Sequence, residues 1–200
     1  TAQQIENKIK SIKNKNLLLF LNSPNNPSGA VYNATALQEI NKLCKEKGIY
    51  HISDEAYEYF TYGEIEHFSP GSISNSNEYT ISLYSLSKAY GFASWRIGYM
   101  VIPEHLSLSV KKAQDTYLIC PTRIAQEAAI TALKIGCDYT KSHLNQIENT
   151  RNKLYAELQS INNICAVPLT MGAFYFLIKL NTTLTGMELV DKLINKQIQK

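Results

Sequence analysis

The sequence predicts an α/β fold built on a mainly parallel sheet. Two observations carry this. Short apolar runs bounded by turn residues alternate with stretches whose apolar residues recur at helical spacing. Three of those runs are also followed directly by polar turns, as at the carboxyl ends of strands in an open α/β sheet.

The elements follow in order. Ile5, Ile9 and Ile12 place a helix over residues 2–13, and Leu17–Asn22 reads as a buried strand. The cluster Ser23-Pro24-Asn25-Asn26-Pro27-Ser28-Gly29 ends it in a turn. Thr35 with Gln38 three residues on forms a capping box. It opens a helix with Leu37, Ile40, Leu43 and Cys44 on one face, stopped by Gly48. Ile49–Ser53, Tyr79–Tyr84 and Ile97–Ile102 are three further strands. From about residue 104 the pattern is mostly helical. Leu106, Val110, Ala113 and Tyr117 make one stripe, and Ala125, Ala128, Ala129 and Ala132 another. A longer helix has Leu144, Ile147, Leu154, Leu158 and Ile161 on one face, with Arg151 among them as a snorkelling or ion-paired residue. Ala173–Leu180 reads as a strand, and Thr185 with Glu188 caps a last helix running to Lys200. The expected division is part of a large sheet domain over 1–103, a helical connector over 104–136, and the start of a smaller α+β domain over 137–200.

Composition limits the function. Of 200 residues, 44% are hydrophobic and 18% charged, which supports a packed core and excludes wholesale disorder. Twenty basic and 17 acidic residues leave a net charge of +3, too balanced for a nucleic-acid footprint. The longest apolar run, Leu17 to Leu21, is far below the ~20 residues that span a bilayer. No signal peptide is read at Thr1. Cys44, Cys120, Cys137 and Cys165 contain no CxxC pair, so neither a metal site nor a disulfide framework is expected. They are read as reduced, mostly buried thiols of a cytoplasmic protein.

The chemistry gathers after three strands: Asn25-Asn26-Pro27-Ser28-Gly29, then Asp54-Glu55-Ala56-Tyr57, then Ser85-Leu86-Ser87-Lys88. Singly, each has a plain explanation. Asn-Pro-Ser-Gly is an ordinary turn, Asp-Glu an ordinary helix start, and a lysine is usually solvated. At three successive strand ends the coincidence needs a ligand. Asp54 and Tyr57 share a face if their segment is helical, and Arg96 follows Lys88 by eight residues. An arginine with serine hydroxyls suits a phosphate. A carboxylate suits a protonated ring nitrogen, and a phenol with an amide suits a phenolate oxygen. A lysine amine forms a Schiff base. Pyridoxal phosphate wants all of these groups.

Asn-Asn-Pro-Ser-Gly, Ser-Asp-Glu-Ala-Tyr, and Ser-Leu-Ser-Lys followed by Trp-Arg-Ile-Gly-Tyr resemble the class I/II aminotransferases, the fold-type I pyridoxal-phosphate enzymes typified by aspartate aminotransferase. The resemblance runs from about residue 1 to 180. It implies that Lys88 is the imine lysine and proton shuttle and that Asp54 pairs with the pyridinium nitrogen. Tyr57 and Asn26 bond the phenolate oxygen, while Ser85, Ser87 and Arg96 hold the phosphate. Trp95 is read as packing. The implied reaction moves an amino group between an amino acid and a 2-oxo acid by a ping-pong route. The family also has an N-terminal phosphate loop, an aromatic residue stacked on the ring, and a C-terminal arginine for the substrate carboxylate. None of these is matched; neither Arg123 nor Arg151 stands in the arginine's place, so the chain reads as an internal fragment. A β-lyase of the same fold is the alternative, although Asn25 sits where many such lyases have His. A catalytically incomplete chain is a third. The resemblance further implies a homodimer in which the segment Tyr117–Thr122 reaches the neighbour's site; the same apolar segment could instead pack inside its own subunit.

Overall fold

The computed structural model describes residues 1–13 and 16–198. Its centre is a four-stranded sheet in the order β1 (Leu18–Asn22), β2 (Tyr50–Asp54), β3 (Thr80–Ser85), β4 (Gly98–Val101). The first three strands run parallel. β4 returns antiparallel along β3, with Ser85 opposite Gly98. The register sets Asn22 beside Asp54 and Asp54 beside Leu83, so the three parallel strands end along one edge.

The expected alternation of strand and helix holds for the first crossover. α1 (Ala2–Ser11) precedes β1, and α2 (Ala34–Lys47) carries the chain from β1 to β2. Ile40, Cys44 and Ile49 form a buried cluster, with Ile5 and Ile9 of α1 and Leu17, Leu19 and Leu21 packed against it. α2 starts otherwise than its sequence suggests. Its cap is Asn33, whose side chain accepts from the Ala36 amide at 2.8 Å; Thr35 already lies inside the helix. Asparagine caps at least as well as threonine, so the earlier start satisfies the same amide hydrogens. Gly48 ends the helix at φ +63, as expected.

The second crossover, residues 55–79, holds no α-helix, only a short 3-10 turn at Pro70–Ser72. Polar anchors order it instead. Glu55 is fully buried; His67 Nε2 lies 2.8 Å from its carboxylate, and Ser69 Oγ donates to it at 2.9 Å. Ser76 Oγ donates to the Pro70 carbonyl at 3.1 Å.

After the sheet come α3 (Leu86–Ala89), α4 (Ser107–Tyr117), α5 (Arg123–Ile135) and α6 (Asp138–Ser160). Ala125, Ala129 and Ala132 of α5 pack on Leu86, Ala89, Tyr90 and Ile97. α4 fully buries none of its residues; along the expected stripe Leu106 and Val110 are half-buried, whereas Ala113 and Tyr117 are exposed. On α6, Leu154 and Ile161 are exposed, whereas Leu144 and Ile147 pack beside Tyr57 and Phe60. Arg151 donates through Nε to the Thr170 carbonyl at 2.8 Å and lies over the Tyr62 ring. The strand expected over Ala173–Leu180 reduces to β6 (Lys179–Leu180), antiparallel to β5 (Cys165–Ala166). Ala173 takes φ +55, and its amide donates to the Phe60 carbonyl at 2.9 Å as part of an isolated antiparallel bridge of Gly172 with Thr61, so the backbone here pairs with residues 60–62 instead of extending β6. α7 (Gly186–Ile198) opens with the expected Thr185–Glu188 box; its expected end at Lys200 lies outside the described residues. Cys44 and Cys165 are buried, but Cys137 is half-buried and Cys120 exposed, so the thiols are not mostly buried. Among the described residues no helix is long and apolar enough to cross a membrane.

A buried polar cluster joins α2 to the sheet. Tyr79 donates to Asn41 Oδ1 at 2.8 Å, which turns the Asn41 amide group toward Thr80 Oγ1 at 2.9 Å and His51 Nδ1 at 3.0 Å. His51 Nδ1 therefore accepts and the ring is neutral. Burial pushes its pKa down to about 4, against a smaller opposing pull from Glu55. The folded value lies below the ordinary 6.5, so the native state binds fewer protons than the unfolded one and this stability is lost as pH falls from 6.5 toward 4. In urea unfolding of the full-length protein, the stability difference between wild type and His51→Gln should shrink by roughly 2 kcal/mol between pH 7 and 4.5. A difference independent of pH would show that His51 is not held neutral.

Candidate functional site

The site begins with the loop after β1. Asn22 Oδ1 accepts from the Asn26 amide at 2.7 Å, and Asn25 Oδ1 accepts from Ser28 Oγ at 2.6 Å. The Gly29 amide closes the turn onto the Asn25 carbonyl at 2.8 Å. Gly29 sits at φ +67, and a Cβ there would lie 2.6 Å from Thr170 Cβ, so only glycine fits. The loop presents the exposed Asn26 side chain, which donates through Nδ2 to Tyr57 Oη at 3.4 Å.

After β2 the chain makes two successive turns rather than the helix that would set Asp54 and Tyr57 on one face. Glu58 donates to the Glu55 carbonyl and Phe60 to the Tyr57 carbonyl, each at 2.9 Å. The half-buried Asp54 accepts from the Ala56 amide through Oδ1 at 3.1 Å; among the described residues no donor meets its other oxygen. Tyr57 is buried, with Phe60, Phe174 and Tyr175 edge-on to its ring. Its hydroxyl lies 2.6 Å from that of Tyr175. Burial pushes the Tyr57 pKa above the ordinary phenol value, so it remains protonated. Glu58 is pushed up to about 7, by burial and then by the neighbouring Glu55, with His67 opposing.

After β3, Ser85 caps the single turn of α3 by accepting from the Ser87 amide at 3.2 Å. Leu86 and Ala89 anchor α3 in the core. Lys88 is half-buried on that turn, its Nζ 5.9 Å from the centre of the Tyr57 ring. The chain then loops back to β4. Gly98 must be glycine, since a Cβ would meet the Tyr84 carbonyl oxygen at 2.5 Å. Because Gly98 pairs with Ser85, Arg96 is set two residues away from that contact. Arg96 is exposed, takes φ +53, and spends one donor on the Ala93 carbonyl at 2.8 Å. Trp95 stacks on Phe92 at 5.3 Å, a packing role.

Asn26 is thus hydrogen-bonded to Tyr57 and Lys88 Nζ lies over the Tyr57 ring, with Asp54 at the neighbouring strand end. Ser85, Ser87 and Arg96 flank the same edge; no hydrogen bond among the described residues joins them to the other three. The arrangement can bind an anion at Ser85 and Arg96, balance a positive charge at Asp54, and donate to an oxyanion from Tyr57 and Asn26. Among the described residues no cluster of histidine, cysteine and carboxylate side chains could hold a metal. Sequence reasoning missed Asn22, which orders the first loop, and Tyr175, which arrives from far along the chain. An asparagine closing an apolar strand is a usable signal for the first; the sequence carries none for the second.

The chain matches the family model "Aminotransferase class I and II" over residues 1–199. It is 35% identical over 174 residues to the probable aspartate/prephenate aminotransferase of Aquifex aeolicus, covering 86% of this chain and 44% of that protein. It is 31% identical over 193 residues to the aspartate aminotransferase of Sulfolobus acidocaldarius, covering 96% of this chain and 47% of that one. Among solved structures, a single mutant of Thermus thermophilus aspartate aminotransferase superposes with a TM-score of 0.79 at 30% identity, over 89% of this chain and 45% of that one. The chain therefore spans less than half the length of these relatives. With the fold, the strand-end motifs and the family model in agreement, the chain belongs to the class I and II aminotransferases, a pyridoxal-phosphate-dependent family of fold type I.

Proposed function

We propose that this chain is the cofactor-holding part of an aminotransferase that exchanges an amino group between an amino acid and a 2-oxo acid by a ping-pong route. One observation carries the reading: Asp54, Tyr57, Lys88, Asn26, Ser85 and Arg96 lie at one edge of three adjacent parallel strands. The donor set fits pyridoxal phosphate. Arg96, with the hydroxyls of Ser85 and Ser87, takes the phosphate. Asp54 keeps the ring nitrogen protonated through its oxygen that no protein donor meets. Tyr57 and Asn26 donate to the ring oxygen. Bound there, the cofactor supplies a sink for negative charge at the substrate α-carbon. Lys88 Nζ would anchor the cofactor and, once free, would serve as the base that carries the proton of that carbon through the 1,3 shift, delivering it to the cofactor side rather than back to the same carbon. Relatives are named for aspartate, for aromatic amino acids, for alanine and for N-succinyldiaminopimelate, so the proposed substrate is an amino acid with a 2-oxo acid partner, of no narrower class.

The domain division at residues 103 and 136 is part of this proposal, as is a cytoplasmic location, which four unpaired cysteines support. So is a homodimer. Tyr117, Leu118 and Ile119 are 88%, 67% and 72% exposed, which favours a partner's surface over packing within the subunit.

Borohydride reduction of the full-length protein with pyridoxal phosphate, followed by peptide mapping, should place the label on Lys88. A label on another lysine would overturn the assignment. Asp54→Asn should keep the fold yet lower kcat by several orders of magnitude, each 1.36 kcal/mol of lost stabilisation being tenfold; near-normal turnover would reduce Asp54 to a strand terminator. Sedimentation of the full-length protein should give a dimer. A monomer that still transaminates would remove Tyr117–Thr122 from any neighbouring site.

A further inference from the structure

We infer that Tyr175 is a positioning residue that fixes the Tyr57 hydroxyl as a hydrogen-bond donor toward the cofactor's ring oxygen. The inference rests on the cofactor reading above. The hydroxyl oxygens of Tyr57 and Tyr175 lie 2.6 Å apart, a short contact for two neutral phenols. Asn26 Nδ2 approaches the same Tyr57 oxygen at 3.4 Å and can only donate. A phenol has one hydrogen and two lone pairs. If Tyr57 is to donate to a ligand, Tyr175 must donate to Tyr57, and the two lone pairs of Tyr57 are then filled by Tyr175 and Asn26. Such a chain polarises the Tyr57 O–H and strengthens its own donation. Without the Tyr175 donor, the Tyr57 hydrogen is free to rotate away from the ligand.

Tyr175 is held for this task by backbone, not by chance contact. Met171 and Gly172 both donate to the Gly29 carbonyl at 2.9 Å, and Ala173 donates to the Phe60 carbonyl at 2.9 Å. A Cβ on Gly172 would lie within 2.8 Å of the Phe60 carbonyl oxygen and 2.7 Å of Pro24 Cβ. The segment is thereby pinned between the two loops that carry Asn26 and Tyr57. Phe174 then packs edge-on to both Tyr57 and Phe60. The charged groups facing Tyr57 are Asp54, which disfavours its ionisation, and Lys88, 5.9 Å from its ring. Burial is the largest influence holding Tyr57 neutral, so its hydroxyl keeps the hydrogen it would donate.

The test is the pH titration of the visible absorption of bound pyridoxal phosphate in the full-length protein, for wild type, Tyr175→Phe, Tyr57→Phe and the double variant. Tyr175→Phe keeps the ring that packs on Tyr57, and a thermal melt checks its fold. Its titration midpoint should rise by about 0.4–1 pH unit, the equivalent of one hydrogen bond. Tyr57→Phe should raise it further, and adding Tyr175→Phe to that variant should change nothing more. An unmoved midpoint in a folded Tyr175→Phe overturns the role of Tyr175 alone. Equal shifts in both backgrounds also overturn it, since Tyr175 would then act independently of Tyr57. A wild-type protein with no visible band overturns the cofactor reading and this role with it.

Discussion

The backbone at Asp54 is the point from which the rest of the site is measured. Its carbonyl accepts from the Ser23 amide at 3.1 Å and from Asn22 Nδ2 at 3.0 Å, while the next amide, of Glu55, donates to the Leu83 carbonyl at 2.9 Å. Both neighbouring strands are thereby locked in register at the edge where the polar turns emerge. Register matters because a slip of one residue exchanges every side chain between the two faces. Asp54 would then turn inward and the buried Glu55 outward.

That constraint explains the irregular crossover. Placing Glu55 in the interior is costly unless its carboxylate is paired and hydrogen-bonded. His67 and Ser69 supply those bonds, so residues 67–69 have to fold back under β2. Ser69 Oγ also lies 3.2 Å from Tyr84 Oη on β3, which ties the same anchor to the next strand. A helix in this crossover would have covered the sheet with apolar contacts; here a carboxylate and its partners do it. The second lock is the pairing of Met171 and Gly172 with Gly29, where close approach leaves no room for a side chain on either glycine.

These two locks mark the border of what the sequence discloses. β1, α2 and β2 are legible because a continuous apolar run and a helical stripe each leave a pattern within a few residues. Lys88, Asp54, Tyr57 and Asn26 are legible because each directly follows such a run. The cap at Asn33 is misread because Thr35 and Gln38 satisfy the same local rule, and only the backbone at Asn33 decides between them. Residues 173–178 look like a strand by their aromatic content, but Ala173 at φ +55 answers to Phe60, more than a hundred residues earlier, and no local rule contains that. Tyr175 is hidden for the same reason.

Asp54 and Glu55 show how one strand end divides its chemistry. Successive residues leaving a strand point to opposite faces. Asp54 stays half-buried with one oxygen open at the edge shared with Lys88; Glu55 goes to full burial and spends both oxygens on His67 and Ser69. Had both carboxylates faced the edge, they would have cancelled the two positive side chains there, Lys88 and Arg96, and repelled an anionic ligand. With Glu55 turned away and Tyr57 kept neutral by burial, Arg96 and Asp54 stand as opposite partners at different strand ends. That division suits a ligand with a negative phosphate and a positive ring nitrogen, since each charge then meets its opposite at its own strand end.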